Sequence, residues 1–119
     1  MNEHSLVKKA NRLFLKLVIA DAPFYFLKVH GNAYQKSNQP DFFLCVGGWM
    51  CVVEFKHPDK EAKPNPGQEN EMKKWEHAGA KKLTLNNMTV LSEFLMSVFT
   101  HQKILLTESQ QQLLLNACD

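Results

Sequence analysis

The glycine pair Gly47-Gly48 constrains this chain more than any other feature, because it separates two apolar runs rich in β-branched and aromatic residues. Two glycines between such runs are typical of a two-residue β-hairpin turn, whose central residues need a left-handed backbone. We therefore predict a hairpin with strands at residues 41–46 and 49–56. A two-residue turn also fixes the register, since every facing pair must have residue numbers with the same sum as Val46 and Trp49.

That register brings two carboxylates together at the open end of the hairpin. It places Asp41 opposite Glu54, with Cβ atoms about 5 Å apart, where like charges repel and destabilise a bare hairpin. Lys56 lies on the same face, one pleat beyond Glu54, because side chains alternate along a strand. A bound cation would remove the repulsion. Carboxylates that hold Mg²⁺ beside an ammonium are what metal-dependent phosphodiester hydrolysis requires.

The same three residues also allow a purely structural interpretation. Asp41 follows Pro40 and can cap the start of a strand. Glu54 and Lys56 can form an exposed ion pair that contributes almost nothing to stability. Each residue alone favours this interpretation, but their joint placement beside the apolar run 51–53 leads us to favour the catalytic one.

The remaining sequence predicts a single α/β domain over residues 1–119. A chain of 119 residues has room for one domain, and 45% apolar residues suffice for its core. Hydrophobic periodicity, strand formers, prolines and capping residues mark the other elements. We predict a helix at 3–19, a strand at 24–29, an exposed loop at 58–67, a helix at 68–77 ended by Gly79, a strand at 82–85, and apolar helices at 89–102 and 107–117.

Composition excludes several classes of protein. Three cysteines without C-x-x-C spacing give neither a disulfide framework nor a structural zinc site. There is no apolar run of about 20 residues and no signal-peptide layout, so we expect a soluble cytoplasmic protein without a membrane partner. The formal net charge of +2 is too small to indicate a nucleic-acid-binding protein by itself. A basic first third followed by an acidic centre gives only weak support for a polyanionic ligand with a bound cation.

Glu3 is an anomaly in the first predicted helix. It lies near the middle of the apolar arc, where a carboxylate is unexpected unless something pairs with it. A frayed first turn that leaves Glu3 in solvent, near the favourable helix dipole, explains the position at least as well.

Two polar segments are candidates for contacts with the phosphates of a polyanionic ligand. The first is the loop just before Asp41, with the residues Tyr34, Gln35, Lys36 and Ser37. An ordinary polar loop is an alternative. The second is the basic stripe of the first helix, Lys8, Lys9, Arg12 and Lys16, which is more typical of a solubilising surface.

The two carboxylates and the lysine belong to a longer motif. Pro40-Asp41, twelve intervening residues and Glu54-Phe55-Lys56 resemble the signature of the PD-(D/E)XK nuclease superfamily. With Gln68 opening the next predicted helix, residues 29 to 85 are similar to a compact stand-alone VRR-NUC domain, of the kind common in bacteriophages.

The resemblance implies a restriction-endonuclease-like α/β core, with a central mixed β-sheet flanked by helices and with extra C-terminal helices. It implies a homodimer in a bacterial or phage-infected cytoplasm that binds Mg²⁺ or Mn²⁺ and cuts DNA, often branched DNA such as Holliday junctions. The extra helices could bury the dimer seam or pack within the chain. By resemblance, Asp41 and Glu54 are metal ligands, the Phe55 carbonyl is a main-chain ligand, Lys56 is the catalytic lysine, Gln68 is a supporting glutamine and Glu3 is an additional acidic ligand.

Two features depart from the family pattern. Ser37-Asn38-Gln39 precede Pro40 where a glycine-containing turn is common, although Asn38 can adopt the left-handed conformation of a glycine. Arg12 is the only arginine, so lysines must contact phosphates as point charges, which favours recognition of DNA structure over sequence. The alternatives are a non-catalytic DNA-binding accessory protein and a sequence-specific restriction-type nuclease.

Overall fold

The described residues, 2–30 and 37–118, form a four-stranded mixed sheet flanked by helices in the computed structural model. The sheet has the order β1-β2-β3-β4, in which β1-β2 and β2-β3 are antiparallel and β3-β4 is parallel. The predicted α/β class is confirmed. In chain order, the elements are α1 (Glu3–Ile19), β1 (Phe24–Lys28), β2 (Phe42–Val46), β3 (Trp49–Phe55), α2 (Pro66–His77), β4 (Lys81–Leu85), α3 (Met88–His101) and α4 (Glu108–Asn116).

The Gly47-Gly48 turn sets the hairpin register that the sequence predicts. Both glycines have positive φ, +56° and +89°, as a tight turn between twisted strands requires. Phe42 faces Val53, so the next positions outward are Asp41 and Glu54. The strands are one residue shorter than predicted at this open end, and Asp41 therefore lies just outside β2.

Alternation along the strands gives the sheet two faces. One face forms the hydrophobic core with α1, α3 and α4, and the rings of Phe14 and Phe42 meet there with centroids 5.0 Å apart. On the other face, Trp75 of α2 packs against Phe43, with ring centroids 4.9 Å apart. Side chains alternate between the faces, so this second face is also the one to which the positions of Asp41, Glu54 and Lys56 belong.

The two C-terminal helices complete the core of the same chain. Leu91, Leu95 and Phe99 of α3 and Leu114 of α4 are all buried in it. The Ser92 hydroxyl donates to the Leu114 carbonyl and joins the two helices. Packing within the chain therefore uses most of the apolar surface of both helices, although Val90 and Leu115 are exposed.

Helix α2 begins at Pro66, two residues earlier than predicted. Our expectation that the prolines exclude regular structure through residue 67 is wrong at this end, because a proline suits the first position of a helix. Asn65 caps the helix and forms a capping box with Gln68. Gly67 allows close contact with the turn before β2, since a Cβ at this position would lie 2.7 Å from the Oδ1 atom of Asn38.

The two cysteines of the hairpin lie on opposite faces of the sheet. Cys45 is exposed and Cys51 is buried, as alternation predicts for opposite faces, and both are free thiols. In residues 2–30 and 37–118, the structure contains no helix that is both long and apolar enough to cross a membrane.

Candidate metal centre

Three carboxylates from three separate parts of the chain meet at one end of the sheet. Glu3 begins α1, Asp41 precedes β2, and Glu54 lies near the end of β3. One ligand oxygen from each lies within 4.8 Å of the others. The oxygens of one Mg²⁺ site lie about 2.1 Å from the ion, so these side chains would have to draw slightly closer together to hold it.

Asp41 is held by the main chain on both sides. Its Oδ2 atom accepts a hydrogen bond of 2.7 Å from the Phe55 backbone N–H. Its carbonyl accepts one of 2.8 Å from the Val29 N–H, which continues the ladder beyond β1. The Phe55 backbone therefore orients the carboxylate, and the Val29 backbone fixes the main chain that carries it.

Glu54 is the most enclosed of the three carboxylates. Its side chain is only 4% exposed, and its Oε2 atom is buried with no hydrogen-bond partner among the described residues. Leaving such an oxygen unpaired is costly, and for an ionised carboxylate the cost is larger still. A divalent cation is a partner that would satisfy this atom. The exposed ion pair of the structural interpretation is wrong, because Glu54 is buried.

Without a bound cation, the pKa values of both Asp41 and Glu54 are raised above their ordinary values. Burial raises the pKa of Glu54 to about 8, and the neighbouring Asp41 carboxylate adds to the rise. Burial also raises the pKa of Asp41, although its hydrogen bond from Phe55 acts in the opposite direction. Paired carboxylates with raised pKa values are typical of functional sites, because structural ion pairs usually shift carboxyl groups downward.

Lys56 follows β3 directly and is anchored to α2. Its Nζ atom donates a hydrogen bond of 2.7 Å to the Oε1 atom of Gln68. The same oxygen accepts the Asn65 backbone N–H at 3.1 Å within the capping box. The Lys56 charge lowers the pKa values of Asp41 and Glu54, so the ammonium lies within electrostatic range of both. The start of α2 thus places a cation beside the acidic cluster.

The cluster opens into a cleft at the N-terminal end of α1. Glu3 and Asp41 line this cleft, whereas Glu54 does not and lies behind them. The cleft therefore gives a ligand access to two of the three carboxylates. Its other lining residues are His4, Val7, Lys28, Val29 and His30.

The predicted DNA-contact loop can be located only in part. Tyr34, Gln35 and Lys36 lie outside the described residues, and Ser37 is exposed near the start of β2. The Ser37 hydroxyl accepts a hydrogen bond of 3.5 Å from the Asn38 side chain. Asn38 has a φ of +64°, which confirms the left-handed conformation predicted for it.

The basic stripe of α1 lies away from this cleft. All four of its side chains are exposed. Lys9, Arg12 and Lys16 line a separate groove beside the C-terminal end of α4. The structure therefore does not bring the stripe and the acidic cluster together.

Sequence reasoning missed two residues near the centre. Glu71 of α2 is buried, and its Oε1 atom accepts a hydrogen bond of 3.3 Å from Gln39, just before Pro40. No sequence signal distinguishes Glu71 from the other acidic residues of α2. Lys28 occupies the last core-facing position of β1, after Phe24 and Phe26. A lysine at a core-facing strand position is unusual, and this sequence signal could have identified it as a candidate functional residue.

Comparison of the chain with models of protein families, with curated proteins and with solved structures gave no match. Nothing in these comparisons therefore identifies a family. The resemblance to PD-(D/E)XK nucleases depends on the motif and on the placement of its residues, and it remains a prediction.

Proposed function

We propose that this protein is a metal-dependent endodeoxyribonuclease that hydrolyses phosphodiester bonds in DNA. The observation that carries the proposal is the meeting of Glu3, Asp41 and Glu54 within 4.8 Å, with a buried and unpartnered oxygen on Glu54. A surface cluster of acidic side chains would not need to bury a carboxylate in this way. The hydrogen-bonded pair of Lys56 and Gln68 supports the proposal, because it supplies an oriented cation at the same end of the sheet.

Each residue of the centre has a chemical task in this proposal. Glu3, Asp41 and Glu54 supply carboxylate ligands, and the Phe55 carbonyl is the proposed main-chain ligand. Bound Mg²⁺ or Mn²⁺ would supply positive charge against the scissile phosphate and would make a water molecule more acidic. In this proposal, Lys56 orients the attacking water or stabilises the charge that develops on the phosphate. Gln68 is a positioning residue, since it acts through the Lys56 ammonium.

We propose branched or otherwise structured DNA, such as Holliday junctions, as the substrate, and a homodimer as the active form. A single arginine in the chain favours recognition of DNA shape and backbone over base sequence. Most of the apolar surface of α3 and α4 is buried within the chain, which favours a dimer surface elsewhere. Tyr25 and Leu27 on the edge strand β1 are 70% and 63% exposed, and they offer an apolar surface that the core does not use.

A cleavage assay tests the proposed activity directly. The protein would be incubated with Mg²⁺ or Mn²⁺ and matched linear duplex, single-stranded, flap and four-way-junction DNA, with EDTA as the control. We expect cutting that requires the metal and is fastest on branched DNA. Metal-dependent DNA binding without cutting would favour the accessory-protein alternative, and cutting at one site in long duplex DNA would favour the restriction-type alternative. The absence of both metal-dependent binding and cutting would refute the proposal.

Gln68→Ala tests the positioning of Lys56. We expect a free energy of unfolding lower by about 1 kcal/mol, the typical effect of losing a capping interaction. We also expect slower cleavage at unchanged DNA affinity, because the Lys56 ammonium loses its acceptor. Gln110→Ala is the control for loss of a capping box far from the centre; it should destabilise the fold at least as much, since Gln110 is buried and also donates to the Ala20 carbonyl. Equal loss of cleavage in both variants would show that Gln68 matters only for stability.

A further inference from the structure

We propose that Lys28, His4 and His30 form a phosphate-binding track beside the metal centre, along which the DNA backbone enters the cleft. This inference rests on the proposed nuclease function and names the path of its substrate. All three side chains line the cleft into which Glu3 and Asp41 open. The track would hold a phosphate next to the one that is cut.

The strand pairing places Lys28 beside a metal ligand. Lys28 faces Phe42 in the β1-β2 ladder, and Phe42 follows Asp41 directly. The next rung is the hydrogen bond from the Val29 N–H to the Asp41 carbonyl. Lys28 and His30 therefore flank the residue that pairs with Asp41, and both belong to the segment that forms the wall of the cleft.

Charge balance favours a further cation at this place once DNA is bound. Three ionised carboxylates exceed the charge of one divalent ion by one, and Lys56 offsets that excess from the α2 side. Each phosphodiester that enters the cleft then adds a negative charge that these groups do not balance. Within residues 2–30 and 37–118, Lys28 forms no ion pair, although two carboxylates line the same cleft. Its charge is thus available to a ligand.

The chemistry of the track suits the DNA backbone rather than the bases. A lysine is a point charge without the bidentate geometry that reads a base edge, and phosphate contacts position a protein without specifying sequence. A neutral imidazole still offers one N–H donor to a phosphate oxygen. His4 lies in the first turn of α1, where the positive end of the helix dipole also favours an anion.

The test measures DNA affinity against salt concentration by fluorescence anisotropy, with Ca²⁺ in place of Mg²⁺ to prevent cutting. For Lys28→Ala, we expect affinity to fall roughly threefold to tenfold and the slope of log K against log salt to fall by about 0.9, the loss of one phosphate contact. Lys8→Ala, on the exposed stripe of α1 outside the cleft, should leave both values unchanged. His4→Ala and His30→Ala provide a second test at exposed positions, where we expect weaker binding at an unchanged fold.

The outcomes separate this inference from the proposed function. A wild-type protein that cuts DNA while Lys28→Ala keeps full affinity and salt slope would overturn the track alone. A larger effect of Lys8→Ala would assign the docking surface to the α1 stripe and would also overturn the track. A wild-type protein that neither binds nor cuts DNA with any of these metals would overturn both proposals.

Discussion

We expect Lys56→Met to lower the proposed metal-dependent DNA cleavage by about a thousandfold, within the range expected for removing a positioned catalytic group. Methionine keeps the apolar stem of the lysine and removes the ammonium, so the packing at the end of β3 changes little. The Gln68 side chain still closes the capping box of α2. Metal binding should persist, because none of the carboxylates is altered. Initial cleavage rates and calorimetric titration with Mg²⁺ would measure the two effects separately.

Lys60→Met is the matched control for this experiment. Lys60 is exposed in the loop after β3, and the same substitution there removes the same charge. We expect activity close to that of the wild type. A Lys56→Met variant that cuts DNA at the wild-type rate would contradict the catalytic role of the lysine, and equal losses in both variants would indicate a general charge effect.

We expect Glu54→Gln to weaken the response of stability both to pH and to metal. In the native state without metal, burial raises the pKa of Glu54 to about 8, above its ordinary value of 4.5. The folded chain therefore holds this proton more tightly than the unfolded chain does. This contribution to stability is complete below about pH 4.5 and is lost as the pH rises through about 8. The raised pKa of Asp41 acts in the same direction.

The melting temperatures of the wild type and of Glu54→Gln should depend differently on pH and on metal. In EDTA, the wild-type melting temperature should fall as the pH rises from 5 to above 8, by an amount equivalent to a few kcal/mol. Glu54→Gln cannot ionise, so its melting temperature should fall less and should exceed the wild-type value at about pH 8.5. Mg²⁺ at about a hundred times its dissociation constant should stabilise the wild type by about 2.7 kcal/mol. The variant should lose most of that gain.

Thermal melts at several pH values, with EDTA and with Mg²⁺, check all these expectations. Glu93→Gln, at an exposed position of α3, should behave as the wild type does. A wild-type melting temperature that neither depends on pH in EDTA nor responds to Mg²⁺ or Mn²⁺ would refute the metal centre.

Local signals in the sequence predict much of this architecture. The Gly47-Gly48 turn predicts the register, because a two-residue turn allows only one pairing of the strands on either side of it. Hydrophobic periodicity gives α1 with the observed bounds. The predicted start of α2 is two residues late, because a proline usually breaks regular structure, whereas Pro66 lies in the first turn of a helix capped by Asn65 and Gln68.

Part of the candidate site also follows from local sequence, and part depends on tertiary packing. Asp41, Glu54 and Lys56 follow from the register alone, since all three belong to one hairpin. Glu3 is visible only as a carboxylate on an apolar arc, because its approach to the others depends on how α1 packs across the sheet. The burial of Glu71 depends on packing between distant segments, which no local pattern encodes.

Helix α2 contacts both halves of the centre. Gln68 holds the Lys56 ammonium, while Gly67 lies against Asn38 and Glu71 accepts from Gln39 in the segment that leads to Asp41. The cation and one of the carboxylates thus share a single rigid support. A molecule that bound to the exposed side of α2 and displaced the helix would move the Lys56 ammonium and the Asp41 carboxylate together. Binding at that surface would therefore change the geometry of the whole centre.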